Sequence, residues 1–415
     1  MASITLTTVM GLAVFMFIMM LLVAVLLIAR AKLVPQGEVK ITINEDKELT
    51  VSPGSTLLST LHSQGIYLSS ACGGGGTCGM CKCQVVEGGG SILPTEKGFF
   101  TRKEQNDNWR LGCQVKVRQP MKILLPESIL GVRKWECEVL SNRNVATFIK
   151  EFVVKLPDGE DMDFIPGGYI QIDVPKYDIA FSDFDIEQEF RDEWDRYKMW
   201  DLRVKNREET FRAYSMANYP AEKNLIKLNI RIATPPMNRD KSGFMKVPPG
   251  ICSSYIFSLK PGDKIIISGP YGEFHIKDTD NEMVYIGGGV GMAPLRSHIF
   301  HLFHTLKTGR KVSYWYGARS LQEVFYADDF AAIERKFPNF SFNLALSEPK
   351  PEDNWKGLTG FVHKVLHDNY LSGHEAPEEI EYYFCGPPAM NDAVVGLLDS
   401  LGVPEENVMY DDFGI

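Results

Sequence analysis

Residues 70–83, SACGGGGTCGMCKC, place four cysteines beside a run of glycines. Cys72, Cys78 and Cys81 are separated by five and then two residues, and Cys113 follows after 31 more. Four thiolates can hold zinc or an iron-sulfur cluster, because both accept tetrahedral sulfur ligands. Structural zinc usually takes two close pairs of ligands, whereas here three sulfurs share one loop. Because glycine lets the backbone curl around a cluster, the pattern favours iron-sulfur ligation, with structural zinc as the alternative.

Short strand and helix patterns flank this loop. Residues 38–52, EVKITINEDKELTVS, predict a hairpin around the turn NED, and TLLSTLHSQG at 56–65 predicts a helix. Strands are predicted at CQVVEGGG, residues 83–90, and at RLGCQVKV, residues 110–117, which carries Cys113. We therefore expect a small mixed sheet wrapped around a sulfur-bound group.

Two further cysteines fall in predicted strands. Cys83 follows Cys81 by two residues, where a plain core position is expected, and Cys137 lies in the later strand KWECEVLS. A free cysteine behaves as a small buried hydrophobic residue more often than as a ligand. Both are predicted to be core residues.

Residues 129–277 are mostly strand-like, with short apolar runs separated by glycine and proline. The runs are KWECEVLS, TFIKEFVVKL, GGYIQIDV, FRAYSMAN, LIKLNIRIA and DKIIISGPYGEF. Such spacing predicts an antiparallel barrel or sandwich. Residues 176–210 interrupt these strands with a charged and aromatic insertion, which we interpret as a surface helix or loop too polar for a barrel core.

From residue 278 to residue 415 strand and helix patterns alternate. The apolar strand MVYIGGG is followed by the helix PLRSHIFHLFHTLKTG and the strand KVSYWYGA, and the alternation then repeats. This pattern predicts a doubly wound parallel sheet with its ligands at the carboxyl ends of the strands.

The N-terminal segment is predicted to span a membrane. No charged residue occurs from residue 4 to residue 29, which is long enough for a helix to cross a hydrocarbon layer of roughly 30 Å. Arg30, Lys32 and Lys40 follow the apolar run and nothing basic precedes it, unlike a signal peptide. The positive-inside bias places the N-terminus outside and the remaining chain in the cytoplasm, a reducing compartment that suits free thiols.

Composition excludes one class of partner. The formal net charge is −9 and no basic run is present, so a nucleic-acid partner is not expected. The apolar content of 44% and charged content of 23% are typical of folded domains. At 415 residues the chain is long enough for several of them. The predicted boundaries are 1–34 for the membrane helix and link, 35–128, 129–277 and 278–415.

A second constellation lies in the strand-rich region. Arginine can neutralise a pyrophosphate, tyrosine can stack on a flat ring and serine can hydrogen-bond a ring nitrogen. These types occur together at Arg212, Tyr214 and Ser215, and Gly250 and Ser253 follow at the start of a predicted helix. A helix N-terminus is a natural second phosphate contact, whereas RAYS alone would fit an ordinary barrel strand.

A third motif, IGGGVGMAP, follows an apolar strand and precedes a helix. Glycines at such a junction let the backbone approach a pyrophosphate. The candidate residues are Gly287, Gly288, Gly289, Gly291 and Pro294. Near the C-terminus the strand YYFC ends in Cys385, Gly386 and Pro387.

These motifs resemble those of the ferredoxin-NADP reductase superfamily, in which RxYS is followed by GxxS and later by a glycine loop and Cys-Gly-Pro. The resemblance implies that Arg212 and Ser253 hold the phosphates of FAD, while Tyr214 and Ser215 meet its isoalloxazine ring. It places Cys385 beside the transferred hydride, with a buried packing cysteine as the alternative. An aromatic residue at the C-terminus covers the flavin in this superfamily, so Phe413 is a candidate lid or else a plain strand residue.

The cysteine spacing resembles that of [2Fe-2S] ferredoxins, with the longer first gap of the adrenodoxin type rather than the plant type. The whole order, a membrane helix, a β-grasp ferredoxin-like domain, a flavin barrel and a nicotinamide domain, resembles the F subunits of bacterial sodium-translocating NADH:quinone oxidoreductases. The insertion before RAYSMANYP and the ending DDFG strengthen the resemblance. It covers essentially the whole chain.

The resemblance implies an electron-input subunit of a respiratory complex in the bacterial inner membrane. NADH gives a hydride to FAD, and single electrons pass through the [2Fe-2S] cluster to a membrane partner and ultimately to quinone. NADH rather than NADPH is taken from the resemblance, since Arg319 could meet a 2′-phosphate. No intramembrane carboxylate is present for sodium, so pumping is expected in other subunits.

Two alternatives remain at this point. One is a membrane-tethered reductase component of an oxygenase, with the same cofactors and another acceptor. The other is a non-enzymatic assembly or sensor subunit with zinc at the cysteines. The insertion and the membrane helix disfavour the first, and the intact flavin and dinucleotide motifs disfavour the second.

Overall fold

The computed structural model describes residues 2–33, 37–238 and 243–411. The chain divides into two units, Met1–Leu68 with Gly74–Leu130, and Ser69–Gly73 with Gly131–Ile415. The segment predicted to span a membrane forms helix α1, Ala2–Leu33. Within the described parts of the chain, no helix is both long and apolar enough to cross a membrane.

A five-stranded mixed sheet organises the first unit, in the order β2-β1-β5-β3-β4. Its strands and helices are β1 Val39–Ile43, β2 Lys47–Val51, α2 Leu57–Ser63, β3 Lys82–Glu87, α3 Arg102–Asn106, β4 Trp109–Leu111, β5 Met121–Leu124 and α4 Glu127–Leu130. β1 and β2 form the predicted antiparallel hairpin, and β1 pairs with β5 in parallel. Buried and exposed residues alternate along β5, as expected for a sheet with one face toward a core.

The prediction that Cys113 lies on a strand is wrong. It lies in the turn that follows β4. The preceding Gly112 donates its N–H to the carbonyl of Cys81 at 2.8 Å, and its own carbonyl accepts the N–H of Leu58 at 2.9 Å. These bonds tie the chain to two other segments, so the backbone turns and carries Cys113 toward Cys81.

The second unit contains two six-stranded sheets, one on each side of residue 278, and a two-stranded sheet within residues 176–210. Residues 131–277 carry the predicted flavin motifs and residues 278–411 the predicted nicotinamide motifs, so these parts are called the flavin lobe and the nicotinamide lobe from here on. Six antiparallel strands in the order β11-β8-β13-β6-β7-β12 form the first sheet. They are β6 Arg133–Ala146, β7 Ile149–Lys155, β8 Tyr169–Val174, β11 Thr210–Ser215, β12 Leu225–Arg231 and β13 Lys264–Tyr271. All six predicted strands are confirmed, and a bridge between Met216 and Leu228 links the two edge strands.

The interpretation of residues 176–210 as a surface segment is wrong. The insertion holds β9 Tyr177–Ala180, α5 Arg191–Arg196 and β10 Arg203–Asn206. Its apolar side chains belong to the core of the six-stranded sheet, and Phe181, Ile186 and Trp194 are fully buried. The charged residues between them are mostly exposed. The high charged content of the segment therefore gives no sign that its apolar side chains are buried.

Six parallel strands form the sheet of the nicotinamide lobe, in the order β17-β16-β15-β14-β18-β19. The elements are β14 Met283–Gly288, α7 Met292–Phe300, β15 Val312–Ala318, α8 Ala327–Lys336, β16 Phe340–Leu346, β17 Leu358–Thr359, α9 Val362–Asn369, β18 Glu381–Cys385, α10 Pro388–Ser400 and β19 Val408–Asp411. Helix α6, Ile251–Ser258, belongs to the flavin lobe. The chain leaves β14 toward β15 and later returns to β18 on its other side, so the strand order reverses beside β14, as predicted for a doubly wound sheet.

Candidate functional site

Glycine is required at two positions of the cysteine loop. Gly76 has φ +77° and Gly79 has φ +70°, a region that residues with side chains rarely adopt. A Cβ atom at Gly76 would lie 2.4 Å from Nε2 of Gln114, and one at Gly79 would lie 2.6 Å from the ring of Phe99. The loop is therefore folded too tightly for side chains at these points, as expected for a backbone that wraps a cluster.

Cys81 and Cys113 lie together in the first unit, and both are buried. A hydrogen bond with the Cys113 side chain, reinforced by burial, raises the pKa of the Cys81 thiol far above its usual value. Two such thiols can both ionise only when a cationic centre binds them. The donor set at this pair therefore fits iron or zinc.

The other two predicted ligands, Cys72 and Cys78, are half-buried. Cys72 belongs to the Ser69–Gly73 segment of the second unit. Among the described residues, no three histidine, cysteine or acidic side chains are arranged as a metal site. The four-cysteine ligand set remains a prediction from the sequence.

Cys83 and Cys137 are core residues, as predicted. Both side chains are fully buried. Burial raises the pKa of each thiol to about 12. Cys83 lies near the start of β3 and its sulfur lies 3.9 Å from the carbonyl oxygen of Arg110.

The RAYS motif forms the end of β11. Nη1 of Arg212 donates to the carbonyl of Phe211 at 2.7 Å and to Oγ1 of Thr210 at 3.0 Å, which holds the guanidinium beside its own strand. Burial of the hydroxyl raises the pKa of Tyr214 well above its usual range, so Tyr214 is a neutral hydrogen-bonding and stacking group. These two residue types can meet a phosphate and a flat ring, respectively.

Ser215 meets a residue from the last strand of the chain. Its Oγ donates to Oδ2 of Asp411 in β19 at 3.0 Å. Asp411 was not among the predicted site residues, although the ending DDFG drew attention to the neighbouring Phe413. Phe413 itself lies outside the described residues.

Gly250 and Ser253 open helix α6 as predicted. Oγ of Ser253 accepts the N–H of Ala233 at 3.1 Å and donates to the carbonyl of Gly250 at 3.3 Å. A Cβ atom at Gly250 would lie 2.6 Å from Cβ of Ala233. The first turn of α6 is thus fixed against the loop after β12, and a helix start of this kind can meet a phosphate.

The two motifs of the nicotinamide lobe meet at the point where the strand order reverses. Gly287 at the end of β14 pairs with Cys385 at the end of β18. A Cβ atom at Gly291 would lie 1.8 Å from the carbonyl oxygen of Cys385, so only glycine fits between the glycine loop and Cys-Gly-Pro. Open parallel sheets bind their ligands at this location.

Met390, on the first turn of α10, covers the same junction. A Cβ atom at Gly288 would lie 2.9 Å from its sulfur, and one at Gly386 would lie 2.4 Å from its methyl carbon. Cys385 is fully buried beneath these residues. Pro294 lies in α7 and Pro387 directly precedes α10, so both prolines lie where a helix begins.

Arg319 follows β15, and its charge is already neutralised. Nη2 lies 3.0 Å from Oε2 of Glu193 in the insertion and 3.2 Å from Oε1 of Glu323. A guanidinium held by two carboxylates is poorly suited to a 2′-phosphate. This arrangement agrees with the choice of NADH over NADPH.

Fold and site together define a ferredoxin reductase-like protein, in which FAD- and NAD-binding lobes are joined to a ferredoxin-like unit. Residues 41–118 match the 2Fe-2S iron-sulfur cluster binding domain family. Residues 195–276 match the oxidoreductase FAD-binding domain and residues 285–396 the oxidoreductase NAD-binding domain. The cofactors are FAD and a [2Fe-2S] cluster, and NADH is the electron donor.

The relatives identify the family. The chain is 56% identical to the F subunit of the Na(+)-translocating NADH-quinone reductase of Idiomarina loihiensis, over 97% of this chain and 98% of the relative. It is also 56% identical to the F subunit of the same reductase in Pseudomonas aeruginosa, over 95% of each chain. The chain belongs to the family of F subunits of the Na(+)-translocating NADH-quinone reductases. It is an oxidoreductase for electron input from NADH through FAD and a [2Fe-2S] cluster.

Solved structures share the fold. The Amycolatopsis cytochrome P450 reductase GcoB matches with a TM-score of 0.62 and 22% identity, over 90% of this chain and 98% of that chain. The ferredoxin reductase in carbazole 1,9a-dioxygenase matches with a TM-score of 0.58 and 23% identity, over 91% and 98%. At this identity the likeness concerns the fold alone, so it does not favour the oxygenase alternative.

Proposed function

We propose that three groups of residues divide the work of electron input. Cys72, Cys78, Cys81 and Cys113 hold the cluster, and the flavin lobe binds FAD through Arg212, Tyr214, Ser215, Gly250 and Ser253. The glycine loop and Cys-Gly-Pro bind NADH. The observation that carries this assignment is the register of Gly287 beside Cys385, because it joins both dinucleotide motifs at the reversal of strand order.

The cofactors supply the redox chemistry, since FAD accepts a hydride and releases electrons singly. The residues of the chain bind, orient and exclude water. Cys385 is fully buried, which supports a dry position for the reacting ring. The bond from Ser215 to Asp411 fixes the hydroxyl that is proposed to meet the flavin.

The roles of Ser215 and Cys385 can be tested in the flavin-loaded protein. Ser215→Ala and Cys385→Ala are expected to slow flavin reduction at saturating NADH by about 10- to 100-fold with FAD content unchanged, because both groups are proposed to orient the reacting rings. Anaerobic stopped-flow absorbance measures this rate constant. Cys137→Ala, which alters a fully buried cysteine of the other sheet, is the matched control. Unchanged rates in both site variants would refute the assignment.

The N-terminal helix is proposed to be a single membrane anchor, with the N-terminus outside and the cofactor domains in the cytoplasm. The uncharged run at 4–29 supports this proposal. Large apolar side chains of this helix are exposed, for example Phe15 by 60% and Phe17 by 64%. Removal of residues 1–33 should release the protein from membranes without loss of NADH-dependent flavin reduction. Continued sedimentation with membranes would contradict the anchor.

The partners are proposed to be the other membrane subunits of a sodium-translocating NADH-quinone reductase, with quinone as the final acceptor. The printed name of relatives that match almost the whole chain supports this proposal. Because the chain offers no intramembrane carboxylate, sodium is expected to act elsewhere. Flavin reduction in the isolated chain should therefore be independent of sodium concentration, and a sodium-dependent rate would contradict this division.

A further inference from the structure

Helix α7 is buried on every side. All nine residues of Met292–Phe300 are buried. A helix on a doubly wound sheet normally buries one stripe and exposes the opposite one. Arg296, Ser297 and His298 are consecutive and no more than 3% exposed. Since successive residues point about 100° apart, these three side chains cannot all face the parallel sheet.

All three side chains instead bond to the backbone of the flavin lobe. Nη1 of Arg296 donates to the carbonyl of Ala217 at 2.7 Å, and Oγ of Ser297 donates to the carbonyl of Asn218 at 2.8 Å. The third, His298, has Nε2 3.0 Å from the carbonyl of Phe274. The helix that carries the glycine loop is thus fastened directly to the flavin lobe.

Arg296 also forms the only two-pronged ion pair between the lobes among the described residues. Its Nη1 lies 2.9 Å from Oε2 of Glu222, and Nη2 lies 3.1 Å from Oε1. Burial is the largest single influence and raises the pKa of Glu222. The hydrogen bonds and charge of Arg296, the charge of Lys227 and the N–H of Tyr219 together outweigh burial and leave the pKa below its usual value. The Glu222 carboxylate in turn accepts the N–H of Tyr219 at 3.2 Å. A planar guanidinium held in this way fixes direction as well as distance.

Arg296 and Ala217 each lie close in sequence to one of the candidate cofactor motifs. Arg296 lies on α7, five residues after Gly291, which directly precedes that helix, and Ala217 lies two residues after Ser215. One guanidinium therefore connects the candidate pyrophosphate loop to the candidate flavin strand by a very short path. Misplacement of reacting groups by about 1 Å can cost 100-fold in rate.

We propose that Arg296 is a positioning residue for hydride transfer, which sets the glycine loop against the flavin strand through Ala217 and Glu222. The inference rests on the proposed assignment of the glycine loop to NADH and of RAYS to FAD. Arg296 touches neither cofactor in this role. Its effect is on how the two bound rings meet.

The test uses Arg296→Lys in the full-length, FAD-loaded protein, because lysine keeps the charge but cannot form the two-pronged contact. Anaerobic stopped-flow absorbance is expected to show an about 10- to 100-fold lower rate constant of flavin reduction at saturating NADH. The dissociation constant for NADH should stay within about threefold, because the contacts that bind NADH in the ground state are unchanged. The long-wavelength charge-transfer absorbance of nicotinamide against flavin should weaken in parallel.

Arg310→Lys is the matched control. Arg310 likewise has a mostly buried guanidinium in the nicotinamide lobe, paired with Glu381 at 2.6 Å, but it precedes β15 at the opposite end of the sheet. Its contact with the flavin lobe is a bond to the carbonyl of Lys277 at 3.1 Å, far in sequence from the flavin strand β11. Arg310→Lys should lower thermal stability and leave both the rate constant and the charge-transfer absorbance unchanged. Glu222→Gln, a milder change, should act in the direction of Arg296→Lys if that variant fails to fold.

The outcomes separate the inference from the proposed function. A wild-type rate and wild-type charge-transfer absorbance in Arg296→Lys and Glu222→Gln would overturn the positioning role. Equal losses in Arg296→Lys and Arg310→Lys would also overturn it, because they would indicate a general loss of packing. If NADH failed to reduce the flavin of the wild-type protein, the proposed function would fail instead.

Discussion

At the scale of single residues, His298 shows how a polar group can be buried for attachment rather than chemistry. Its Nε2 lies 3.1 Å from the carbonyl of Pro166 and 3.0 Å from that of Phe274, while its ring stacks on Phe274 with centroids 4.8 Å apart. Both acceptors are carbonyls, so Nε2 carries the proton. Burial lowers the pKa of His298 to about 4.

The low pKa predicts a loss of stability in acid. In the unfolded chain His298 binds a proton near pH 6.5, whereas in the folded chain it binds one only near pH 4. The contribution of neutral His298 to the free energy of unfolding is therefore fully present above pH 6.5 and is lost as the pH decreases toward 4. The shift is worth on the order of 3 kcal/mol. His275 and His301 also lower this pKa, and both are retained in the variant.

The measurement compares the wild-type protein with His298→Gln. Urea unfolding followed by flavin fluorescence from pH 7 to pH 4.5 should show the smaller acid-induced loss in the variant, which has no imidazole to charge. Parallel losses in the two proteins would contradict the assignment. Other acid-sensitive groups affect both proteins equally and cancel in the comparison.

Sequence could predict residues whose chemistry is local to a motif. Gly287 and Cys385 were predicted because the glycine loop and Cys-Gly-Pro are each a continuous stretch of sequence. Their neighbouring positions follow from the parallel sheet. Asp411 and Arg296 were not, because each acquires its partner from a segment far away in sequence. No sequence pattern at the ends of β11 and β19 predicts the hydrogen bond between Ser215 and Asp411.

At the scale of elements, the glycine loop depends on a close approach of two backbones. Gly291→Ala is expected to raise the Michaelis constant for NADH or abolish flavin reduction, because its Cβ would lie 1.8 Å from the carbonyl oxygen of Cys385. Gly309→Ala is the control, since nothing lies within 4 Å of its Cβ position. Steady-state kinetics with an artificial electron acceptor would measure both. Wild-type kinetics in Gly291→Ala would contradict this packing.

The insertion should behave as core rather than surface. Trp194 is fully buried and its Nε1 donates to the carbonyl of Thr147 at 2.8 Å. Trp194→Ala is expected to lower the free energy of unfolding by about 3–5 kcal/mol, the cost of a large aromatic cavity. The exposed variant Asp192→Asn should change it by about 0.5 kcal/mol or less. Urea unfolding measures both, and a small effect of Trp194→Ala would restore the surface interpretation.

The contrast between strands and insertion explains what pattern could predict. The hairpin of β1 and β2 was predicted from alternating residues, and the six strands of the flavin lobe were predicted from short apolar runs separated by glycine and proline. In residues 176–210 the buried apolar side chains lie two to five residues apart and keep no single strand or helix period. They are Phe181, Phe184, Ile186, Phe190, Trp194, Met199 and Val204. Irregular segments bury apolar residues at positions set by their tertiary neighbours, so periodicity cannot find them.

At the scale of the whole molecule, the order of the parts carries the function. A ferredoxin-like sheet precedes the two lobes of a reductase, and each lobe contributes one half of the proposed electron path. The bonds from α7 fasten the nicotinamide lobe to the flavin lobe. NADH and FAD are therefore proposed to meet at a fixed boundary within one unit of the chain.

The most direct test of this account is an anaerobic NADH titration of the whole protein, followed by absorbance and by low-temperature EPR. We expect the flavin to bleach and the signal of a reduced [2Fe-2S] cluster to appear. Cys72→Ala should abolish the cluster signal and leave flavin reduction intact, whereas Cys83→Ala, at a buried core position, should keep both. A protein that holds zinc and whose spectrum does not respond to NADH would contradict the account.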